Sequence, residues 1–243
     1  MNRMKSSLCV VVACVSFASA ETVAPNVDSE TDRKEMNDIE SSKILCEKGD
    51  AESCFAVGYI YAHGRGVPND MGKAYDFYLK ACEMGSGRAC ANLGLMYSKG
   101  IYVTENDKSA FEYYSKACEL GYAGGCHNLA HLYLTGKGVR KNVRRALEYY
   151  ERACQGEYPL SCFNLGVLYG SDEVVEKDPR KSYSYYYRGC IMGNARSCHN
   201  LASMFYHGTY VRKDLEAAKF LFEKACEFGD AGSCEAYERM LEK

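Results

Sequence analysis

The chain has 243 residues, 47% of them apolar and 26% charged, an ordinary globular composition that excludes a disordered or fibrous protein. Four prolines, and 30 basic against 32 acidic residues, exclude a proline-rich stalk and a basic arm for coating nucleic acid. No apolar run reaches the roughly 18 residues of a membrane-spanning helix, so the one unusual count is cysteine, at 14.

In chain order, Arg3 and Lys5 precede an apolar run from Leu8 to Phe17 and then Ala18-Ser19-Ala20. That order of charge, apolar stretch and small residues predicts a secretory signal peptide over residues 1–20, cleaved after Ala20. Val11-Val12-Ala13-Cys14 also resembles a lipobox, although the apolar stretch before it is short. Cleavage removes Arg3 and Lys5 and no acid, taking the formal charge from −2 to −4. Residues 21–37 follow as a polar leader that should be disordered. Cys9 and Cys14 leave with the signal, and the other 12 cysteines enter a secreted or periplasmic compartment where disulfides persist.

From there the sequence repeats. Cys46, Cys82, Cys118, Cys154, Cys190 and Cys226 recur every 36 residues, and Cys54, Cys90, Cys126, Cys162, Cys198 and Cys234 follow the same step. Each period carries two apolar stripes at helical spacing, such as Ala89, Leu93, Met96 and Tyr97, then Ala110, Tyr113, Tyr114 and Ala117. Pro159 and Pro179 mark first helical positions, which places N-caps at Tyr158 and Asp178. The equivalents Asp50, Ser86, Asn194 and Asp230, and Asp70, Asn106, Asn142 and Asp214, are mostly good capping residues. Gly49, Gly85, Gly121, Gly193 and Gly229, with Gly64, Gly100, Gly136 and Gly208, mark helix ends that need positive φ.

A helix pair cannot bury its own apolar face, so the units must stack into an all-α, right-handed α-α solenoid of about twelve helices. It spans residues 38–243, with units near 46–81, 82–117, 118–153, 154–189, 190–225 and a half unit at 226–243. Asp38 to Leu45 reads as an N-terminal capping helix.

Within a single helix, the two cysteines of C-x7-C would stand about 12 Å apart, beyond the roughly 7 Å that a disulfide bridges. The glycine three residues after the first cysteine reverses the chain between them. Structural zinc favours shorter spacings and four ligands together, so the prediction is six local disulfides: 46–54, 82–90, 118–126, 154–162, 190–198 and 226–234. No metal or other cofactor is called for.

The units share A-x-N-L-G-x-x-Y-x-x-G, then G-x-G-V, then Asp or Asn, then K/R-A-x-x-Y-Y-x-K/R-A. This pattern resembles the Sel-one-like repeat, a relative of the tetratricopeptide repeat. With two cysteines per unit it is similar to the Helicobacter cysteine-rich proteins, over roughly residues 40–243. Asp172, Glu157, Tyr102, Val174 and Tyr210 replace glycines of the pattern. The resemblance implies two functions: a scaffold holding peptide or protein partners in a concave groove, or, as members are labelled, penicillin binding with slow β-lactam hydrolysis, acting on β-lactams or cell-wall fragments.

No S-x-x-K, S-D-N or K-T-G of a serine β-lactamase occurs in the chain. His127 and His131 have the i, i+4 spacing of a zinc helix, but Asn128 stands where its general-base Glu would be; they read as surface histidines. Asn92, Asn128, Asn164 and Asn200 share one position beside the core leucine and should form a polar ladder. Their amides either bond neighbouring backbone or engage an extended peptide, since an amide donates and accepts at once. Arg88 and Arg196, with Glu52, lie one turn before the ladder position, and Tyr59 and His131 nearly one turn after. The paired tyrosines, such as Tyr113-Tyr114, read as packing. Tyr183 to Tyr187 is the exception, because one helix cannot bury four tyrosines in five residues. Nucleic acid is not an expected partner, and the protein should be a monomer.

Overall fold

A computed structural model describes residues 39–242, so the predicted signal and leader lie outside the described residues. Among the described residues there are twelve helices and no strand. Helix α1 is Ile39–Glu47, α2 Ala51–His63, α3 Met71–Glu83, α4 Gly87–Lys99, α5 Asp107–Glu119 and α6 Ala123–Thr135. Then come α7 Val143–Gln155, α8 Pro159–Gly170, α9 Pro179–Ile191, α10 Ala195–His207, α11 Leu215–Glu227 and α12 Ala231–Leu241.

The helix boundaries follow from side-chain chemistry. Asp50, Asp70, Ser86, Asn106, Asn142, Asp178, Asn194, Asp214 and Asp230 each accept a hydrogen bond from a backbone N–H of the first helical turn, satisfying donors the helix leaves open. Tyr122 and Tyr158 make no such bond, and at Tyr158 the next residue, Pro159, has no N–H to satisfy. Helices α2, α4, α6 and α10 end on left-handed glycines, Gly64, Gly100, Gly136 and Gly208. The peptide N–H at the next cap then returns to the helix just finished, as in Asp70 N to Tyr61 O (3.0 Å) and Asn142 N to Tyr133 O (2.8 Å).

Odd-numbered helices from α1 to α11 end where a cysteine meets the first turn of the following helix. All six predicted disulfides form, with Cα–Cα separations of 4.5 to 4.9 Å. Most of the twelve cysteines are fully buried, and from the second corner on they stand beside small residues, Ala81, Ala117, Ala153 and Ala225. Where Gly189 takes that place, an added Cβ would run into the Ser197 hydroxyl. Where Gly125 replaces the facing residue, a Cβ would collide with Ala117. The disulfide corner therefore leaves space for one small residue on each side.

Packing is sequential. Each helix lies against its neighbours in the chain, and in addition α4 packs on α6 and α8 on α10, the first helices of adjacent units. No pair of second helices packs comparably. The first helices thus form the closer row, the geometry of the inner side of a curved stack. Leu93, Leu129, Leu165 and Leu201 fill the core at one repeated position. The tyrosine pairs pack as expected but unequally: Tyr114, Tyr150 and Tyr186 are buried, while Tyr113, Tyr149 and Tyr185 are half-buried and stack on Tyr97, Tyr133 and Tyr169 with interplanar angles of 6 to 11°. Tyr187 is 51% exposed, as the crowded tyrosine run requires.

The substituted loop glycines behave in two ways. Tyr102 and Tyr210 keep the left-handed conformation, each with φ of 66°, so the loop is conserved at the cost of backbone strain. Around Asp172 and Val174 the loop changes instead: α8 leaves through an extended Ser171, and the Asp172 carboxylate accepts a hydrogen bond from Lys177 N.

Candidate functional site

The first helices α4, α6, α8 and α10 carry the asparagine row on one face, and the structure sets it deeper than an open ladder. Asn92 is buried, with neither polar atom of its amide in a hydrogen bond of normal geometry. It faces Tyr78 across the α3–α4 contact, closely enough to act on that hydroxyl, and this packing is why it differs from the sequence expectation. Asn128, Asn164 and Asn200 are half-buried. Asn164 lies against Tyr150 and Asn200 against Tyr186. Burial raises the pKa of all three tyrosines, with the amides opposing the rise, and Tyr186 reaches about 12. Hydroxyl and amide therefore meet as neutral dipoles.

The residues flanking the row are partly engaged. Arg88 pairs with Glu52 and covers the Phe55 ring, its guanidinium 4.7 Å from the centroid. Ser86 also donates to Glu52 (3.3 Å), so the sequence-predicted charges of the first two units meet each other. Arg196 is exposed. The Tyr59 ring lies 4.0 Å from that of His63, tilted by 30°, and under Arg65. His131 is half-buried, and its pKa falls to about 4 through burial first and then the charges of Lys137 and Lys99.

His127 is not a surface residue, which corrects the sequence expectation. It is buried between the rings of Tyr150 and Tyr158, and its Nδ1 lies 2.8 Å from Ser161 Oγ. Burial, with a smaller contribution from His131, lowers its pKa to about 3. Amphipathic spacing marks the face that meets the partner helix of the same unit, whereas the hydroxyl that His127 meets, Ser161, comes from the first helix of the next unit. Its repeat counterpart His199 meets Ser233 Oγ at 2.8 Å and Asp230 Oδ1 at 3.4 Å.

These Ser–His pairs do not have the geometry of a hydrolytic centre. At His199 one nitrogen, Nδ1, faces both the hydroxyl and the carboxylate, whereas a triad uses opposite ring nitrogens for the two. Ser161 and Ser233 are both wholly buried, so a substrate carbonyl cannot approach either hydroxyl. No group of three His, Cys, Asp or Glu side chains suited to a metal occurs among the described residues.

The helix pairs, their 36-residue step and their caps agree with a family model. Residues 51–86, 87–122, 123–158, 159–194 and 195–230 match the Sel1 repeat. The chain belongs to the Sel1 repeat family. In this division each unit opens on its first helix, five residues later than the cysteine-based boundaries of the sequence analysis. No functionally curated protein matches the sequence. Among solved structures it is similar to a Sel1 repeat protein from Oxalobacter formigenes, 23% identical with a TM-score of 0.76, over 83% of this chain and 58% of that one. A protective antigen present in uropathogenic Escherichia coli strains is 27% identical with a TM-score of 0.69, over 84% and 44%. Helicobacter pylori cysteine rich protein B is 30% identical with a TM-score of 0.44, over 54% of this chain and 94% of that one. The chain thus spans about half the length of the first two structures. The Sel1 fold is a scaffold for protein interactions, its six disulfides fit an oxidising compartment, and no helix among the described residues is long and apolar enough to cross a membrane.

Proposed function

We propose that this Sel1 repeat protein is a secreted or periplasmic scaffold, freed by cleavage near Ala20, that binds an extended peptide or protein segment along the inner row of first helices. The observation that supports it most is the direct stacking of α4 on α6 and α8 on α10. Asn128 on α6, Asn164 on α8 and Asn200 on α10 share one repeat position on these first helices, with His131 and Arg196 about one turn away along the chain. A half-buried amide next to a tyrosine hydroxyl keeps donor and acceptor capacity for a peptide backbone. The similarity to a protective antigen of Escherichia coli fits an extracytoplasmic role. Hydrolysis of β-lactams, the other function the cysteine-rich resemblance implies, draws support from no geometry at His127 or His199.

The test is selection of a displayed library of extended peptides on the oxidised protein. Peptides enriched by the parent should be lost on Asn128→Ala/Asn164→Ala/Asn200→Ala, with the fold unchanged by circular dichroism. Retention of every selected peptide by the triple variant would refute the groove assignment. Cephalosporin hydrolysis that disappears on a single substitution would replace it with the enzyme.

A further inference from the structure

The connection from α6 to α7 carries a charge that the other units lack. Residues 137–145 hold Lys137, Arg140, Lys141, Arg144 and Arg145 and no acid, a net charge of +5. The aligned segments 65–73, 101–109, 173–181 and 209–217 carry +1, −1, 0 and 0, in a chain of net charge −2. The cap within this segment is the neutral Asn142, where three other units have Asp70, Asp178 and Asp214.

All five cations are exposed. Arg144 reaches Glu148 at 3.4 Å but remains 89% exposed, and Arg145 donates to the Tyr133 hydroxyl at 2.8 Å. Lys137, Arg140 and Lys141 make no ion pair among the described residues. Gly138, at φ of 67°, brings this loop onto the backbone of Asp107 and Lys108, where a Cβ would not fit. Lys108 and, through His131, Lys99 therefore extend the positive edge, with Asp107 and Glu148 the acids that face it. Between residues 121 and 186 no large apolar side chain is exposed, so the cationic run itself offers no hydrophobic anchor; Ile101 and Tyr102 are exposed on the preceding loop.

We infer that this edge binds a linear sulfated polysaccharide. Several exposed, unpaired cations in one run match a ligand with closely spaced negative charges. The arginine fork can hold two oxygens of one sulfate, and the missing apolar anchor suits a hydrophilic chain better than a polypeptide or a membrane. The edge adjoins the asparagine row at His131, but the substitutions that test the two proposals share no residue, so each can fail without the other.

The experiment passes the oxidised full chain over immobilised heparin. Retention should fall steeply with added salt and should be absent on desulfated heparin. Arg140→Ala/Lys141→Ala should weaken binding about tenfold, while Arg212→Ala/Lys213→Ala in the neutral segment of the next unit should leave it unchanged. No retention, equal loss in both variants, or equal affinity for polyglutamate or phosphatidylglycerol vesicles would overturn the inference.

Discussion

The Nδ1 of His127 lies 2.8 Å from the hydroxyl of Ser161, and His199 stands in the same relation to Ser233. The two positions vary together along the repeat. Where the first is Phe55 or Ala91, the second is Ala89 or Gly125; where the first is Phe163, the hydroxyl of Ser197 turns to Asn194 Oδ1 at 2.9 Å. Ser161→Ala leaves a buried ring nitrogen without its partner and should cost about 1–3 kcal/mol. His127→Phe/Ser161→Ala reproduces the apolar pairing of Phe55 with Ala89 and should recover most of that loss. Urea midpoints of the parent and the two variants check it, and equal destabilisation by the single and double variants would show that the hydrogen bond is irrelevant.

The same burial makes stability depend on pH. His127 titrates near 3 in the folded chain and near 6.5 once unfolded. Between those values the unfolded state holds more protons, so stability falls as the pH drops below about 6.5 and the loss is complete only near 3. From pH 7 to pH 5 the expected cost for this residue is about 2 kcal/mol. His131, lowered to about 4, acts in the same direction. His127→Phe should flatten the profile over that window. An unchanged slope in urea titrations at pH 5 and pH 7 would place the acid sensitivity elsewhere.

The helices and staples were legible because their causes are local: a cap acts within three residues, and a disulfide over eight closes around one reversed turn. Inter-unit surroundings were not. Asn92 and His127 lie beside the core stripe, and a neighbouring unit completes their surroundings with Tyr78 in one case and Ser161 in the other, while Tyr150 closes over His127 from its own unit. A polar residue next to a core leucine gives no sign of this, although the coincidence of histidine with serine 34 residues later at both His127 and His199 was a usable signal. The loop glycines show a similar limit. Their loss at Tyr102 and Tyr210 changed nothing in φ, while at Asp172 it redirected the chain, because only there does a side-chain carboxylate replace the missing turn.

Removing a staple should cost more in the middle of the stack than at its end. Each nine-residue loop contributes about 2.6 kcal/mol in the chain-entropy model. Cys118 and Cys126 are buried with units on both sides, whereas Cys226 and Cys234 are only half-buried at the last helix pair. Cys118→Ala/Cys126→Ala should therefore approach the full value and add the loss of inter-unit packing. Cys226→Ala/Cys234→Ala should fray α12 and little else. Hydrogen exchange separates the two cases: protection lost on both sides of the central corner, against loss confined to residues 226–241.

Glu157 occupies the turn position that five other units give to glycine, and it does so at φ of 60°. A non-glycine residue there costs about 1–2 kcal/mol, and glycine returns about 0.5–1 kcal/mol of that as extra freedom in the unfolded chain. Glu157→Gly should accordingly stabilise by about 0.5–1 kcal/mol. The reverse change tests the same physics without steric interference, because a Cβ at Gly85, φ of 97°, would meet nothing within 4 Å. Gly85→Ala should cost about 0.5–1 kcal/mol net, backbone strain less the freedom that glycine has in the unfolded chain. A D-alanine at residue 85, introduced by semisynthesis, should restore or exceed the parent's stability, since it favours positive φ and has fewer unfolded conformations. Equal destabilisation by both alanine enantiomers would mean that the turn resists substitution for a reason other than handedness.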